Sequence, residues 1–317
     1  MACRFVDASH FAQSPAGDRP VSGAELWQWR QNAQAAAIAA EVNPYEVDWL
    51  LQELAGLDAL ALRLGSFRNQ AAIALKLSLA ELDLLWQHRL RDRQPIQYLA
   101  GRTPWRDFSL RVSPAVLIPR PDTEEIIDVA LALTAATDRT GHWVDLGTGS
   151  GAIALGLAQA FPQAPIHAVD YSTEALAIAQ QNAVENHLGD RIQFYHGSWF
   201  EPLAALRGQL RGMVSNPPYI PRGLLPTLQP EVIRHEPQLA LDGGEDGLDA
   251  LRHLVETAPA YLQPGGIWLV ELMAGQAIAV THLLETTGRY TAIQSHQDLS
   301  GNERFVSARL CDRGSAD

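Results

Sequence analysis

Four consecutive residues, Asn216, Pro217, Pro218 and Tyr219, carry the clearest chemistry in this chain. They follow a short apolar run, Met213-Val214-Ser215, that reads as a strand. Neither proline has an N–H and both have a fixed φ, so the strand must stop there. A stiff turn then holds an amide and a phenol at the carboxyl end of the strand, the edge where open α/β sheets bind ligands. A planar amide or exocyclic amine carries two N–H groups and a delocalised lone pair, which makes its nitrogen a poor nucleophile. If both N–H groups are held, the nitrogen is fixed and the charge that develops on it is relieved. The Asn216 side-chain oxygen can be one acceptor and the Pro217 carbonyl the other, while Tyr219 can stack on the flat group. With a good leaving group no strong base is needed, and catalysis is positioning and electrostatics. A plain turn would use similar residues, so a neighbouring cofactor site must decide between the readings.

Such a site is present upstream. Asp145-Leu146-Gly147-Thr148-Gly149-Ser150-Gly151 joins a strand to a helix, with glycine at every second position. Glycine lets backbone approach a ligand closely, and the N–H groups that open the helix face it. Asp145, Gly147, Thr148, Gly149, Ser150 and Gly151 are therefore candidate cofactor residues. The spacing differs from the dinucleotide fingerprint, whose third glycine comes three after the second. The next strand ends in Asp170, about 20 residues beyond the loop, where a carboxylate can accept both ribose hydroxyls of an adenosine group; alone, Asp170 is as readily a helix cap. Trp199, after the third strand, can wall an adenine ring. Adenosine, an acid-led glycine loop and Asn-Pro-Pro-Tyr together imply S-adenosyl-L-methionine. Adenine, cytosine and glutamine nitrogens all remain open as acceptors of the methyl group.

The elements that must position these residues alternate. Strands are expected at 142–146, 165–169, 192–195, 212–215 and 267–271, with helices at 152–160, 173–186 and 274–287 and another ending near Leu262. A long loop runs to about Asp246, and two extended runs, 290–294 and 304–310, close the chain. This is the pattern of a mostly parallel sheet covered on both faces, an α/β Rossmann-like fold. Residues 22–94 read as a small all-α domain, with capping boxes at Asn43-Pro44-Tyr45-Glu46 and Ser78-Leu79-Ala80-Glu81. Leu79, Leu82, Trp86 and Leu90 then share one helix face. Residues 95–120 form a hairpin linker, with Ile96, Tyr98, Leu99, 108–112 and 116–118 extended. Asp122 is placed to cap a helix from Thr123. Residues 1–21 read as a loose tail with no secretory signal.

Composition narrows the class. The chain has 317 residues, 47% hydrophobic and 19% charged, a globular balance. No apolar run reaches the length of a membrane span. Two cysteines, Cys3 and Cys311, fit a reducing compartment, with no disulfide framework and no metal pattern. The net charge of −12 disfavours non-specific nucleic-acid binding. The expectation is a cytoplasmic, monomeric protein that contacts neither nucleic acid nor membrane.

Val144 to Ala154, the strand end at Asp170 and Asn216 to Tyr219 resemble the class I S-adenosylmethionine-dependent methyltransferases. Pro95-Ile96-Gln97-Tyr98-Leu99-Ala100-Gly101 and Val116 to Glu124 resemble the release-factor glutamine methyltransferases. So do Glu236-Pro237, Ala240 to Gly244, Gly247-Leu248 and Gly301-Asn302-Glu303-Arg304. The resemblance runs from about Leu51 to Leu310. It implies a helical domain that grips the substrate, a hairpin linker and, over 121–317, a seven-stranded methyltransferase domain. It further implies methyl transfer to the Gln of the Gly-Gly-Gln motif of peptide chain release factors. Gly147 to Gly151, Asp170, Trp199 and Asn216 would then hold the cofactor, and Asn216 to Tyr219, with Arg120 and Glu124, the substrate. Ser198 stands where the family has an acid, and Met273 where it usually has Gly. The alternatives are a sister enzyme acting on a ribosomal protein glutamine and a DNA or RNA adenine-N6 methyltransferase. The second would need a basic target-reading domain that the charge and the Ala-rich helical region do not offer.

Overall fold

The computed structural model describes residues 20–135 and 139–312. The expected tail at 1–21 and Cys3 fall almost wholly outside these residues. The chain divides into two compact units: one runs to Arg102 and also takes in Gln229–His235, and the other comprises Thr103–Leu228 and Glu236 onward.

The first unit is helical: α1 Gly23–Ala39, α2 Tyr45–Ala55, α3 Ala59–Leu64, α4 Leu79–Asp92 and α5 Ile96–Ala100, with a short helix Pro230–His235. Ser78 and Glu81 form the reciprocal capping box that starts α4. The box expected at Asn43 does not form. The Asn43 side chain accepts from the Tyr45 N–H at 3.0 Å, but Glu46 turns away to the Arg89 guanidinium, at 2.5 and 2.9 Å. Arg89 also reaches Glu231 at 2.8 Å, which anchors the Pro230–His235 helix inside a segment expected to be loop. The core holds Leu26, Leu50, Leu51, Phe67, Leu82, Leu85 and Trp86. Ile96 and Leu99 join it. They are three apart on one helical face, so the extended reading of this stretch is corrected: Gly101, at φ 73°, ends a helix rather than turning a hairpin.

A two-stranded hairpin, β1 Arg102–Trp105 and β2 Phe108–Arg111, starts at the unit boundary, and all of it but Arg102 belongs to the second unit. The strand expected at 116–118 is absent; the Ile118 N–H donates to the Glu236 carboxylate at 3.3 Å instead of to a ladder. There follow α6 Glu125–Leu133, β3 His142–Leu146, α7 Ala152–Ala160, β4 Ile166–Asp170, α8 Thr173–Glu185, β5 Ile192–His196 and β6 Leu210–Ser215. After the loop come α9 Asp249–Thr257, β7 Leu262–Glu271, α10 Ala277–Thr287, β8 Tyr290–Gln297 and β9 Glu303–Leu310. Asp122 caps nothing: a 3-10 turn, Pro121–Glu124, precedes α6 without a side-chain cap.

Seven strands make one sheet in the order β5-β4-β3-β6-β7-β9-β8, parallel except at β9, which runs antiparallel to both neighbours. Successive residues of the central strands enter different cores, as the strand period of two requires. Met213, Trp268 and Val270 pack with Leu251, Leu254, Val280 and Leu284 of α9 and α10. Val214, Ile267 and Leu269 pack with Ile126, Ile127, Leu155 and Phe161 on the α6–α7 side. Helices therefore cover both faces. The register aligns Leu146 with Val169 and Ser215, and Asp170 with His196, so four carboxyl ends lie level. The chain leaves β3 on one side and later returns to β6 on the other, and this reversal opens a crevice at the strand ends. No helix among the described residues is long and apolar enough to cross a membrane.

Candidate active site

The glycine loop leaves β3 through three left-handed residues, Gly147, Gly149 and Gly151, at φ 75°, 55° and 86°, a conformation that side chains strongly disfavour. Asp145 is fully buried behind it. One of its oxygens accepts from the Thr148 hydroxyl at 2.6 Å and the Ala154 N–H at 3.1 Å, clamping the loop to the first turn of α7. The other oxygen has no partner. Burial is the main reason its carboxyl is pushed up to about 7, against the pull of these two hydrogen bonds. Asp170 straps the far side: one oxygen accepts from the Gly149 N–H at 2.8 Å and the other from the Ser172 N–H at 2.9 Å. Burial raises its pKa and these N–H groups oppose the rise. Ser172, not Asp170, caps α8.

A cavity of about 630 Å³ opens in front of the loop, within the range of small-molecule sites. Gly147, Thr148, Gly149, Ser150, Asp170, Ser198, Trp199, Arg120, Thr123, Asn216 and Pro218 all line it. It is also walled by Val116 and Leu117, from the run expected to be a strand, and by Pro119 after it. Asp170 keeps one lone pair on each oxygen beyond its backbone bonds, enough for two ribose hydroxyls. Trp199 both lines the cavity and packs on the core. Size, loop N–H groups, paired lone pairs and an indole wall together fit an adenosine-bearing cofactor.

At the β6 end, the Asn216 side-chain N–H donates to the Thr123 hydroxyl at 3.2 Å. Pro217 is buried and, like Tyr219, is not among the residues that line the cavity. The expected stacking role of Tyr219 is thereby displaced. Its hydroxyl donates to Glu271 at 3.2 Å and accepts from Arg304 at 3.1 Å, and the Arg304 guanidinium lies 5.5 Å from the ring centroid. Burial, then the Glu271 charge, pushes the phenol up to about 12. Glu271 is fully buried at the end of β7 and paired with Arg304 at 3.1 Å. The Gln276 amide donates to the Tyr219 carbonyl at 3.0 Å and holds the turn from behind. A Cβ on Gly243 would lie 2.8 Å from Tyr219 backbone atoms, which explains glycine beside this turn.

The other candidate residues separate. Arg120 lines the cavity with its guanidinium tied to the buried Glu236 at 2.7 Å. Glu124 does not line it: its carboxylate accepts from the Arg106 N–H at 3.0 Å and its carbonyl from the Arg106 guanidinium at 2.7 Å. A one-residue advance on the 3-10 turn puts Thr123 inward instead. Asp145 likewise lies behind the loop and not in the cavity. Sequence reasoning gave no role to Thr123, Glu271 or Asn182. Asn182 is buried in α8 and donates to the carbonyls of Ser150 and Arg111 at 2.8 and 3.1 Å while accepting from the Arg111 N–H at 2.6 Å; it ties the hairpin to the glycine loop. Among the described residues, no cluster of His, Cys, Asp and Glu could hold a metal ion.

Comparison with known proteins bears on the family. Residues 127–245 match the methyltransferase small domain. The release factor glutamine methyltransferase of Synechocystis sp. is 54% identical over 292 residues, covering 91% of this chain and 97% of that protein. The chain belongs to the release factor glutamine methyltransferases. The member from Thermosynechococcus vestitus is 50% identical, covering 91% of this chain and 99% of its own length. The crystal structure of the hMettl16 catalytic domain, in complex with MAT2A 3'UTR hairpin 6, shares the fold at a TM-score of 0.53 and 14% identity, over 78% of this chain and 87% of that one.

Within that family the two departures have physical readings. Met273 is not among the left-handed residues, so the position makes no demand for glycine. Its N–H donates to the Gln276 side chain at 3.0 Å, a contact that any residue except proline supplies. Ser198 lines the cavity beside Trp199, where a hydroxyl offers a weaker acceptor than a carboxylate.

Proposed function

We propose that this protein methylates the side-chain amide nitrogen of the Gln in the Gly-Gly-Gln motif of peptide chain release factors, with S-adenosyl-L-methionine as donor. The observation that carries the reading is that Asn216 opens onto the same cavity as the glycine loop and Asp170. An acceptor for a planar N–H₂ group thus faces a space fitted to an adenosine-bearing cofactor. The cofactor supplies a methyl group already activated on sulfonium. The loop N–H groups, Asp170 and Trp199 bind it. The Asn216 oxygen would accept one N–H bond of the glutamine, and the carbonyl of Pro217, a buried residue outside the cavity lining, is the acceptor proposed for the other. As nitrogen took the methyl group, the methyl–sulfur bond would break with its electron pair left on sulfur as the neutral thioether, and the positive charge passed to nitrogen would be stabilised by these acceptors until one proton left to solvent. Arg120, held by Glu236, borders the path of the substrate loop. The helical unit supplies the grip on the release factor, and the protein works as a cytoplasmic monomer without touching nucleic acid, in line with its net charge of −12.

The test is transfer of labelled methyl from S-adenosyl-L-methionine to an intact release factor, read by mass at the Gly-Gly-Gln peptide. Transfer should vanish when that Gln is changed to Ala. Label on a ribosomal protein or on DNA instead would overturn the assignment. Asn216→Ala should lower kcat by about 100-fold or more with cofactor affinity nearly kept; an unchanged kcat would remove the acceptor role.

A further inference from the structure

Asn182 is fully buried within α8. Asparagine is a poor residue for a helix interior, and a buried polar side chain costs free energy unless it is hydrogen-bonded. It shares the buried face of α8 with Ala175 and Ala179, so packing alone would put an apolar residue there. Its amide instead makes three bonds, all to backbone. The N–H₂ edge donates to the Ser150 carbonyl at 2.8 Å and to the Arg111 carbonyl at 3.1 Å, and the oxygen accepts from the Arg111 N–H at 2.6 Å. A carbonyl only accepts and a backbone N–H only donates, so the amide has a single orientation. By taking both backbone groups of Arg111 it pairs with the end of β2 as a neighbouring strand would.

Each partner leads to a different wall of the cavity. Ser150 belongs to the glycine loop and lines the cavity itself. The next residue, Gly151, rests on the same helix, where an added Cβ would lie 3.1 Å from the Ala179 Cβ. Arg111 ends β2. From there the chain passes a turn at Ser113, whose carbonyl accepts from the Val116 N–H at 3.0 Å and whose hydroxyl accepts from the Ala115 N–H at 3.3 Å. It then enters Ala115, Val116 and Leu117, which line the cavity. Glu174 and Ala175, at the start of α8, line it too. The helix is thus the common footing of the two walls, and Asn182 is bonded to both.

We propose that Asn182 is a positioning residue for the cofactor: it sets the separation of the glycine loop and the Ala115–Leu117 wall, and with it the affinity for S-adenosyl-L-methionine. The inference rests on the cofactor reading of the cavity and adds to it a residue that does not line that cavity. The three bonds of Asn182 reach neither β6 nor its turn at Asn216, so affinity and turnover should separate. Coupling is also reciprocal: if the grip on Arg111 favours the cofactor, bound cofactor favours the grip.

The experiment compares Asn182→Ala, Asn182→Asp and Arg111→Ala with wild type. Alanine removes all three bonds. Aspartate keeps the size and the acceptor for the Arg111 N–H but sets lone pairs against the two carbonyls. Each Asn182 variant should raise the dissociation constant for S-adenosyl-L-homocysteine, read by calorimetry, by about 10-fold or more. Their kcat for release-factor methylation at saturating S-adenosyl-L-methionine should stay within about threefold of wild type. Arg111→Ala removes the ion pair with Glu185 at 2.5 Å and leaves the backbone bonds to Asn182; its constant should stay within about twofold of wild type. In wild type, saturating S-adenosyl-L-homocysteine should slow hydrogen exchange at the Arg111 N–H by about 10-fold, a measurement that needs no variant to fold. An unchanged constant in folded Asn182→Asp would overturn the proposal, and so would Arg111 exchange indifferent to the cofactor. A kcat that falls in step with affinity would mark Asn182 as packing alone, and an Arg111→Ala loss equal to that of Asn182→Ala would move the role to the ion pair. Wild-type protein that fails to bind S-adenosyl-L-homocysteine would refute the cofactor reading itself, a separate outcome from any of these.

Discussion

Replacing Asp145 by Asn isolates the electrostatic cost of the carboxylate behind the cofactor loop. The side chain is fully buried, and the oxygen that serves the Thr148 hydroxyl and the Ala154 N–H can be kept as an amide oxygen. Burial moves the carboxyl from 3.8 to about 7, so the folded state binds the proton more tightly than the unfolded chain does. Below the unfolded value both states are protonated and the group contributes no difference. As pH rises from there towards about 7, the unfolded chain ionises first and native stability falls; above about 7 the full penalty stands. A displacement of this size corresponds to about 4 kcal/mol, and about 2.5 kcal/mol of it develops between about pH 5 and about pH 8. The variant lacks that titration. The stability difference, Asp145→Asn minus wild type, should therefore grow by about 2.5 kcal/mol in favour of the variant across this window. Urea titrations of both proteins at the two pH values, followed by intrinsic tryptophan fluorescence, measure it. A difference independent of pH would show that Asp145 ionises normally and that burial does not set its charge.

Asp170→Ala should raise the dissociation constant for S-adenosyl-L-homocysteine by about 10- to 100-fold, the worth of charge-assisted hydrogen bonds, as measured by calorimetry. An unaltered constant would leave Asp170 as a strap between the Gly149 and Ser172 N–H groups and nothing more. Gly243→Ala forces a methyl group to within 2.8 Å of Tyr219 backbone, an overpacking worth about 1–3 kcal/mol. The variant should melt lower and lose methyl transfer while still binding cofactor, and full kcat would mean that the Tyr219 turn tolerates displacement.

The sheet was legible in the sequence because its strands announce themselves. His142–Leu146 and Ala152–Ala160 fall where the apolar runs and the glycine loop put them, and the strands at 166–170, 192–196 and 210–215 differ from expectation by a residue or two at their ends. What failed were short apolar stretches between turn residues. Ile96, Tyr98 and Leu99 suit a strand or one helical turn equally well, and only burial of Ile96 and Leu99 in the helical core decides. The Val116–Ile118 run is apolar because Val116 and Leu117 wall a cavity and Ile118 is buried, not because it pairs. Pro230–His235 carries too few apolar residues to signal a helix, and the ion pair from Glu231 to Arg89 that fixes it spans 142 positions.

The candidate site divides along the same physical line. Residues whose role comes from backbone geometry, the loop glycines and the two prolines, are visible because few other residues can take those conformations. Residues whose role comes from pairing are not. Asn216 meets its hydroxyl partner 93 positions upstream, and Tyr219 meets its carboxylate 52 positions downstream. Within Asp122-Thr123-Glu124 the acids drew attention because charge can be read from a sequence, yet Glu124 serves Arg106 on the hairpin while the uncharged Thr123 reaches Asn216. In a turn that advances about one third of a circle per residue, neighbouring side chains point in different directions, and only the fold says which one enters the site.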